Sequence, residues 1–312
     1  METTPEYDVI KLQEEFRTSP LKPSQLVWKR FLQHKMAVFG AIMLVVLIIY
    51  SFGLSIFFPE SEANFTDTSI RLSAPSAEHP FGTDTVGRDI MKRTIYGGQI
   101  SLLIGLSAVI VEVVVGVMIG AIAGYYGGWI DNLLMRIIDA TLALPSLLVL
   151  ILLGAVLREV KVDFIEKNTV VTIAIALGLL SWMTVARLVR AIFLALRDME
   201  YVQAARALGA SNARIILQEI LPNGVGPIIV ESTLGIGFAI MEESGLSFLG
   251  FGIRPPTPSW GNLLSNAQEH FTKYPWLAVF PGLMIFLSII SVNYIGDGLR
   301  DALDPQGRRD GG

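Results

Sequence analysis

EYVQAARALGASNARIILQEILPN, residues 200–223, is polar enough to leave a membrane, yet strongly hydrophobic segments flank it on both sides. At helical spacing Tyr201, Ala204, Ala205 and Leu208 form one apolar stripe, with Gln203 and Arg206 turned away from it. Gly209 is expected to stop this helix, because glycine enters the left-handed C-cap conformation without a Cβ penalty. Ser211 is expected to cap a second helix by accepting from the backbone N–H of Ala213 or Arg214. That helix carries Ile216, Leu217, Ile220 and Leu221 inward until Pro222 ends the register. Two short helices meeting at a glycine make a compact knuckle. Projecting from a membrane, it suits a soluble partner's grip.

Composition supports the membrane. Of 312 residues, 52% are hydrophobic and 17% charged, and the mean hydropathy is +0.55. Soluble domains carry about 25% charge. The net charge of −4 gives no footprint for nucleic acid. With no cysteine, disulfides, thiolate metal sites and cysteine nucleophiles are excluded together. His34, His79 and His270 are scattered without a metal-binding spacing, which argues against a zinc hydrolase. No cleavable signal peptide is visible, so the first apolar run is expected to stay in the membrane.

Outward from the knuckle the chain divides into six expected spans. Residues 1–35 read as a cytoplasmic leader in which Trp28 and Phe31 sit at headgroup depth beside Lys29, Arg30 and Lys35. Residues 36–58 are the first span, long enough for roughly 30 Å of hydrocarbon. Residues 59–98 form an extracytoplasmic loop ending in a short helix. Residues 99–298 hold five further spans and the coupling segment 196–223. These spans fall near 101–124, 137–156, 170–188, 226–251 and 276–295, with a charged loop at 157–168. Residues 299–312 form a cytoplasmic tail. Gly116, Gly120 and Gly124 recur every four residues, a stripe on which another helix can approach closely. Asp131 and Asp139 fall near one helix face, and Pro145 is expected to kink the third span. With six spans, 15 Lys and Arg lie on the side of the termini and nine opposite, which places the termini and the knuckle in the cytoplasm.

The knuckle resembles the EAA loop of bacterial ABC-importer permeases, here as Gln203-Ala204-Ala205, Gly209 and Leu221-Pro222-Asn223. Glutamine replaces the family's glutamate, so Glu200 or Glu219 would have to supply any carboxylate. WKRFLQHKMAVFGAIML, HPFGTDTVGRDIMKRTIYGGQISLLIG, AGYYGGWIDNLLMRIIDATLALP and EESGLSFLGFGIRPPTPSWGNLL are similar, in order, to blocks of the second, C-type permease of dipeptide and oligopeptide importers. The resemblance runs from about Leu26 to Pro305. It implies an all-α membrane protein, six transmembrane helices in the type I importer permease fold with a cytoplasmic coupling helix, in a bacterial inner membrane. It also implies a homologous second permease, two cytoplasmic ATP-binding subunits and an extracytoplasmic peptide-binding protein.

Carried onto this chain, the resemblance makes Glu200, Gln203, Ala204, Ala205, Arg206, Gly209, Ala210, Ser211 and Arg214 the ATPase-coupling residues. The segments Gly82 to Arg93 and Pro255 to Trp260 would face the binding protein. The alternative for the knuckle is an amphipathic helix lying on the lipid surface, but an alanine-rich face would bury little there. No G-x-x-x-x-G-K-[ST] sequence is present, so ATP and Mg are expected on partner subunits, with no cofactor on this chain.

Carboxylates within the spans form a second feature. Glu112 lies in the second span, and Glu231, Glu242 and Glu243 in the fifth. A charge at the bilayer centre costs roughly 2.5–3.5 kcal/mol by insertion measurements, so such groups face protein or water. Glu231 and Glu242 share a helix face. Glu243 sits where the family commonly has glutamate, and Glu242 looks additional. Either Glu231, Glu242 and Glu243 line a translocation path and meet an α-amino group, or each is a buried carboxylate satisfied by a hydroxyl from a neighbouring helix. The second reading is preferred, since tight binding in a path slows release. An ion-coupled secondary transporter would need inverted repeats, and an intramembrane enzyme would need a nucleophile motif. Neither is evident. Cargo stays open between peptides, nickel and another small solute.

Overall fold

The computed structural model describes residues 23–159 and 168–304. Leader residues 1–22, loop residues 160–167 and tail residues 305–312 lie outside the described residues. Among the described residues helix is the regular structure throughout, apart from one isolated bridge between Thr83 and Asp89. The main helices are α1 (Pro23–Gln33), α2 (Lys35–Ile48), α3 (Ile90–Tyr126), α4 (Gly128–Leu142), α5 (Ser146–Glu159) and α6 (Thr169–Leu196). They continue as α7 (Glu200–Ala207), α8 (Val225–Phe248), α9 (Trp260–Ala267) and α10 (Trp276–Leu303). Five stretches are long and apolar enough to cross a membrane, and a sixth is present if α4 and α5 make one bent span.

Two spans differ from their expected form for identifiable reasons, and two others run past their expected ends. The expected short helix before the second span is part of one continuous 37-residue α3. Asp89 starts it by accepting from the Lys92 backbone N–H at 3.0 Å. The third span is broken, with α4 and α5 inclined at 82°. Pro145 lies in the break between them, where its missing N–H and its clash with the preceding residue disfavour a continuous helix. Asp131 and Asp139 then hold α4 along α6 through ion pairs to Arg190 and Arg187. The fourth span runs on to Leu196 and the last to Leu303, each eight residues past the expected ends at 188 and 295.

The glycine stripe of α3 meets α6. A Cβ on Gly116 would come within 2.7 Å of Val185 Cβ and 2.9 Å of the Trp182 carbonyl oxygen. One on Gly124 would come within 2.6 Å of Phe193 Cβ. Val185, Val189 and Phe193 are fully buried in this seam. Gly116→Ala is therefore expected to cost about 1–3 kcal/mol by overpacking. Gly226→Ala, where the nearest atom to a new Cβ is 3.8 Å away, should change little. Thermal unfolding of the purified protein in detergent compares the two.

Both described ends of the chain lie with the knuckle. Arg30 Nη1 donates to the Asp304 carbonyl at 2.9 Å, and His34 Nε2 lies 3.4 Å from Asp301 Oδ2. The start of α8 reaches the end of α10, with Leu303 beside Gly226. Phe31 is buried against Ala37 and Ala302, because α1 packs on α10, whereas Trp28 is 63% exposed. At the opposite end, Phe81 stacks on Phe280 with ring centroids 3.9 Å apart. Ile90, Ala267 and Leu277 form a small core there.

Candidate functional site

The knuckle is rooted by few residues and presents many. Val202, Ile215 and Ile220 are fully buried and join Tyr125 of α3 and Phe193 of α6 in one core. Glu200, Gln203, Ala204, Arg206, Gly209, Ser211 and Arg214 are exposed, with Ala205 and Ala210 half-buried. The nine expected coupling residues thus gather on one small projection. The expected apolar stripe is corrected. Val202 is the inward anchor of α7, while Leu208 is 89% exposed and Tyr201 39% exposed.

Gly209 takes φ +81°. Its N–H donates to the Arg206 carbonyl at 3.0 Å, and the Ala210 N–H to the Ala205 carbonyl at 3.1 Å. Those two bonds form a Schellman C-cap. Ser211 accepts from the Arg214 N–H at 3.4 Å and caps the single helical turn Asn212–Arg214. The register changes at Pro222 as expected, but the chain stays helical. A π-turn at Ile215–Ile220 passes into a 3-10 turn at Leu221–Gly224 and then directly into α8. A proline near the start of that turn needs no N–H partner, so the chain continues. Two further ties hold the knuckle to α3. Tyr125 Oη donates to Asn212 Oδ1 at 2.8 Å, and the Arg206 guanidinium lies 6.0 Å from the Tyr125 ring centroid.

Between α3, α6, α8 and α10 lies a cavity of about 730 Å³. Glu112, Glu231 and Glu242 line it, together with Asp297 and Asn293 of α10. Apolar wall comes from residues such as Leu234 and Phe238. Glu231 and Glu242 are half-buried, and Ser146 of α5 lines the same cavity.

Glu243 is elsewhere. It is fully buried and accepts from Ser101 Oγ at 2.9 Å and Ser247 Oγ at 2.7 Å. Ser101 Oγ accepts in turn from the Trp260 backbone N–H at 3.3 Å, and Ser247 Oγ from that of Ile253 at 3.0 Å. Glu243 is therefore a polar bolt between α3, α8 and α9, not a wall of the cavity. Its hydroxyl partners match the alternative expected for it. Asp297 and Asn293 escaped notice in the sequence, as they sit near a span's end and only packing turns them inward.

The outer segments are less exposed than expected. In residues 82–93, Val86 is exposed and most of the rest is buried. Asp84 ties the loop by accepting from the Val86 and Arg88 N–H groups, each at 2.9 Å, and from Arg88 Nε at 2.7 Å. In residues 255–260, Pro255 and Pro256 are exposed while Trp260 is fully buried. The Trp260 indole donates to the Thr94 carbonyl at 2.9 Å, so it braces α3 from within.

The family model described as "Binding-protein-dependent transport system inner membrane component" matches residues 116–309, more than half of the chain. The chain belongs to this family. A second model, the N-terminal TM domain of oligopeptide transport permease C, matches residues 22–75 of the permease. The permease is 41% identical to the dipeptide transport system permease protein DppC of Alkalihalophilus pseudofirmus, over 92% of its own length and 91% of that relative. It is 40% identical to the glutathione transport system permease protein GsiD of Escherichia coli, over 92% of its own length and 93% of the relative. The same figures hold for GsiD of Shigella boydii. The two family domains occur in the order that the quoted blocks implied, and the permease is a multi-pass inner membrane protein of the ABC importer class.

Proposed function

We propose that this permease is the non-catalytic C-type membrane subunit of an ATP-driven importer of di- or oligopeptides. It pairs with a homologous second permease, and an extracytoplasmic binding protein delivers the cargo. ATP and Mg are bound by two cytoplasmic subunits, one of which seats on residues 200–223. The observation that carries this reading is the contrast within the knuckle: Val202 is fully buried while Leu208, six residues on, is 89% exposed. A projection rooted so firmly and tipped with an exposed leucine is built to be held. Its rigid connection to α6 and α8 would pass a partner's movement to the helices around the cavity. The names of the relatives favour peptide cargo over nickel or another small solute.

Leu208→Asp tests the seat. The side chain has no packing to lose, so the variant should insert normally, yet lose co-purification with the ATP-binding subunits and at least about tenfold of peptide uptake. Leu208→Met should retain both. Unchanged co-purification and uptake in Leu208→Asp would move the seat elsewhere. Uptake that survives removal of the ATP-binding subunits but collapses with the proton gradient would replace this reading with an ion-coupled carrier.

A further inference from the structure

The cavity holds a carboxylate for which the described residues supply no hydrogen-bond donor. Glu112 is 5% exposed, lies near the middle of α3 and lines the cavity wall. Its two carboxylate oxygens rest over Gly235 of α8, where an added Cβ would come within 3.2 and 3.6 Å of them. Among the described residues it makes no hydrogen bond and no ion pair. Glu231 and Glu242 bring further negative charge into the same cavity, and Asp297 adds a fourth carboxylate. No Lys, Arg or His lines it.

Glu243 shows what this fold does with a structural carboxylate. Two serine hydroxyls donate to it, and it is sealed from the cavity. Glu112 has no such donors among the described residues, yet its oxygens are not sealed off from the cavity, so a group passing through can donate to them. A chelated metal ion does not fit, because among the described residues no three acidic or histidine side chains converge closely enough to hold one. Carboxylates spread along a partly apolar wall suit an ammonium group, a compact cation with three donors on a flexible, partly apolar carrier.

We infer that this cavity selects cargo by charge: Glu112 receives an ammonium group of the translocating peptide, and acidic peptides are disfavoured. Glu231 and Glu242, about 16 Å apart along α8, extend the attraction along the cavity. This rests on the peptide-importer reading and adds a discrimination made in the membrane, separate from that of the binding protein.

The test uses the complete transporter with its binding protein in proteoliposomes, so that delivery is the same for every variant. Uptake of tripeptides bearing one lysine, one glutamate or neither is compared between wild type, Glu112→Gln and the double variant Glu231→Gln, Glu242→Gln. Glu112→Gln should lower the lysine-to-glutamate uptake ratio by about tenfold, with uptake of the neutral peptide changed least. The double variant should shift the ratio in the same direction by a smaller factor, and it carries the test should Glu112→Gln fail to accumulate. Ratios equal to wild type, with ATP-dependent uptake intact, would overturn the charge selection and leave the importer reading standing. Loss of ATP-dependent uptake of all three peptides in the wild-type complex would instead sink the importer reading.

Discussion

Gly209→Pro is expected to abolish transport while leaving the permease inserted in the membrane. Gly209 takes φ +81°, whereas a proline ring fixes φ near −65°. Its N–H also makes the 3.0 Å bond to the Arg206 carbonyl, which proline cannot make. Both halves of the Schellman cap are lost, and the turn that aims Leu208 outward re-forms differently or not at all. The spans themselves are untouched, since Val202, Ile215 and Ile220 remain in their core. Space is not the issue, because no atom lies within 4 Å of a Cβ placed at Gly209. Gly209→Asn, whose side chain tolerates the left-handed region, should therefore keep most of the uptake. Gly209→Ala should fall between, at a cost of about 1 kcal/mol. Membrane level, co-purified ATP-binding subunits and peptide uptake measured together separate these cases. Normal uptake by the proline variant would remove the knuckle from the coupling path.

The position of the knuckle gives that expectation its reach. The segment from Asn212 to Phe248 is one apolar stretch despite its changes of helical type. Glu231 lies six residues beyond the first residue of α8, about 9 Å along the axis from that helix's start. On the other side, Arg197 Nη1 donates to the Gly124 carbonyl at 3.0 Å and fixes the end of α6 to α3. A partner that displaces the knuckle would therefore act on a wall of the cavity through a continuous helical path. Interfaces of this kind switch between packed arrangements instead of deforming smoothly.

Much of this was legible in the sequence where the governing chemistry is local. A glycine followed two residues later by a serine cap sets the α7 boundary within a few residues, and no distant contact is needed to see it. The α3 glycine stripe was equally readable, because period four on a helix means one face whatever packs there. The errors come where register changes. Ile215 and Ile220 are five residues apart and both fully buried, the spacing of a π-turn and not of an α-helix. Reading Ile216, Leu217, Ile220 and Leu221 at 3.6 residues per turn put Leu217 inside, whereas it is 61% exposed. The break at Pro145 was visible as a proline, but its size depends on Arg187 and Arg190, far along the chain. The roles of the carboxylates were not legible at all. Glu242 and Glu243 are neighbours in sequence, yet one faces the cavity and the other meets Ser101, 142 residues away.

That division predicts opposite behaviour for adjacent residues. Glu243→Ala should destabilise the permease by about 2–6 kcal/mol, because it leaves two fully buried serine hydroxyls without their acceptor, at about 1–3 kcal/mol each. The loss does not stop at the side chains. Ser101 and Ser247 also accept from the Trp260 and Ile253 backbones, so the join of α9 and the residues after α8 to α3 loosens with them. A glutamine at this position keeps one acceptor oxygen and the volume, and Glu243→Gln should recover a large part of the stability. Glu242→Gln should lower the melting temperature little, since that group is half-buried beside the cavity. Melting of the purified complex in detergent ranks the three variants. The uptake assay then supplies the discriminating half, for surviving Glu243→Gln permease should show the wild-type lysine-to-glutamate ratio while Glu242→Gln does not. A changed ratio with unchanged melting in Glu243→Gln would put Glu243 in the path after all.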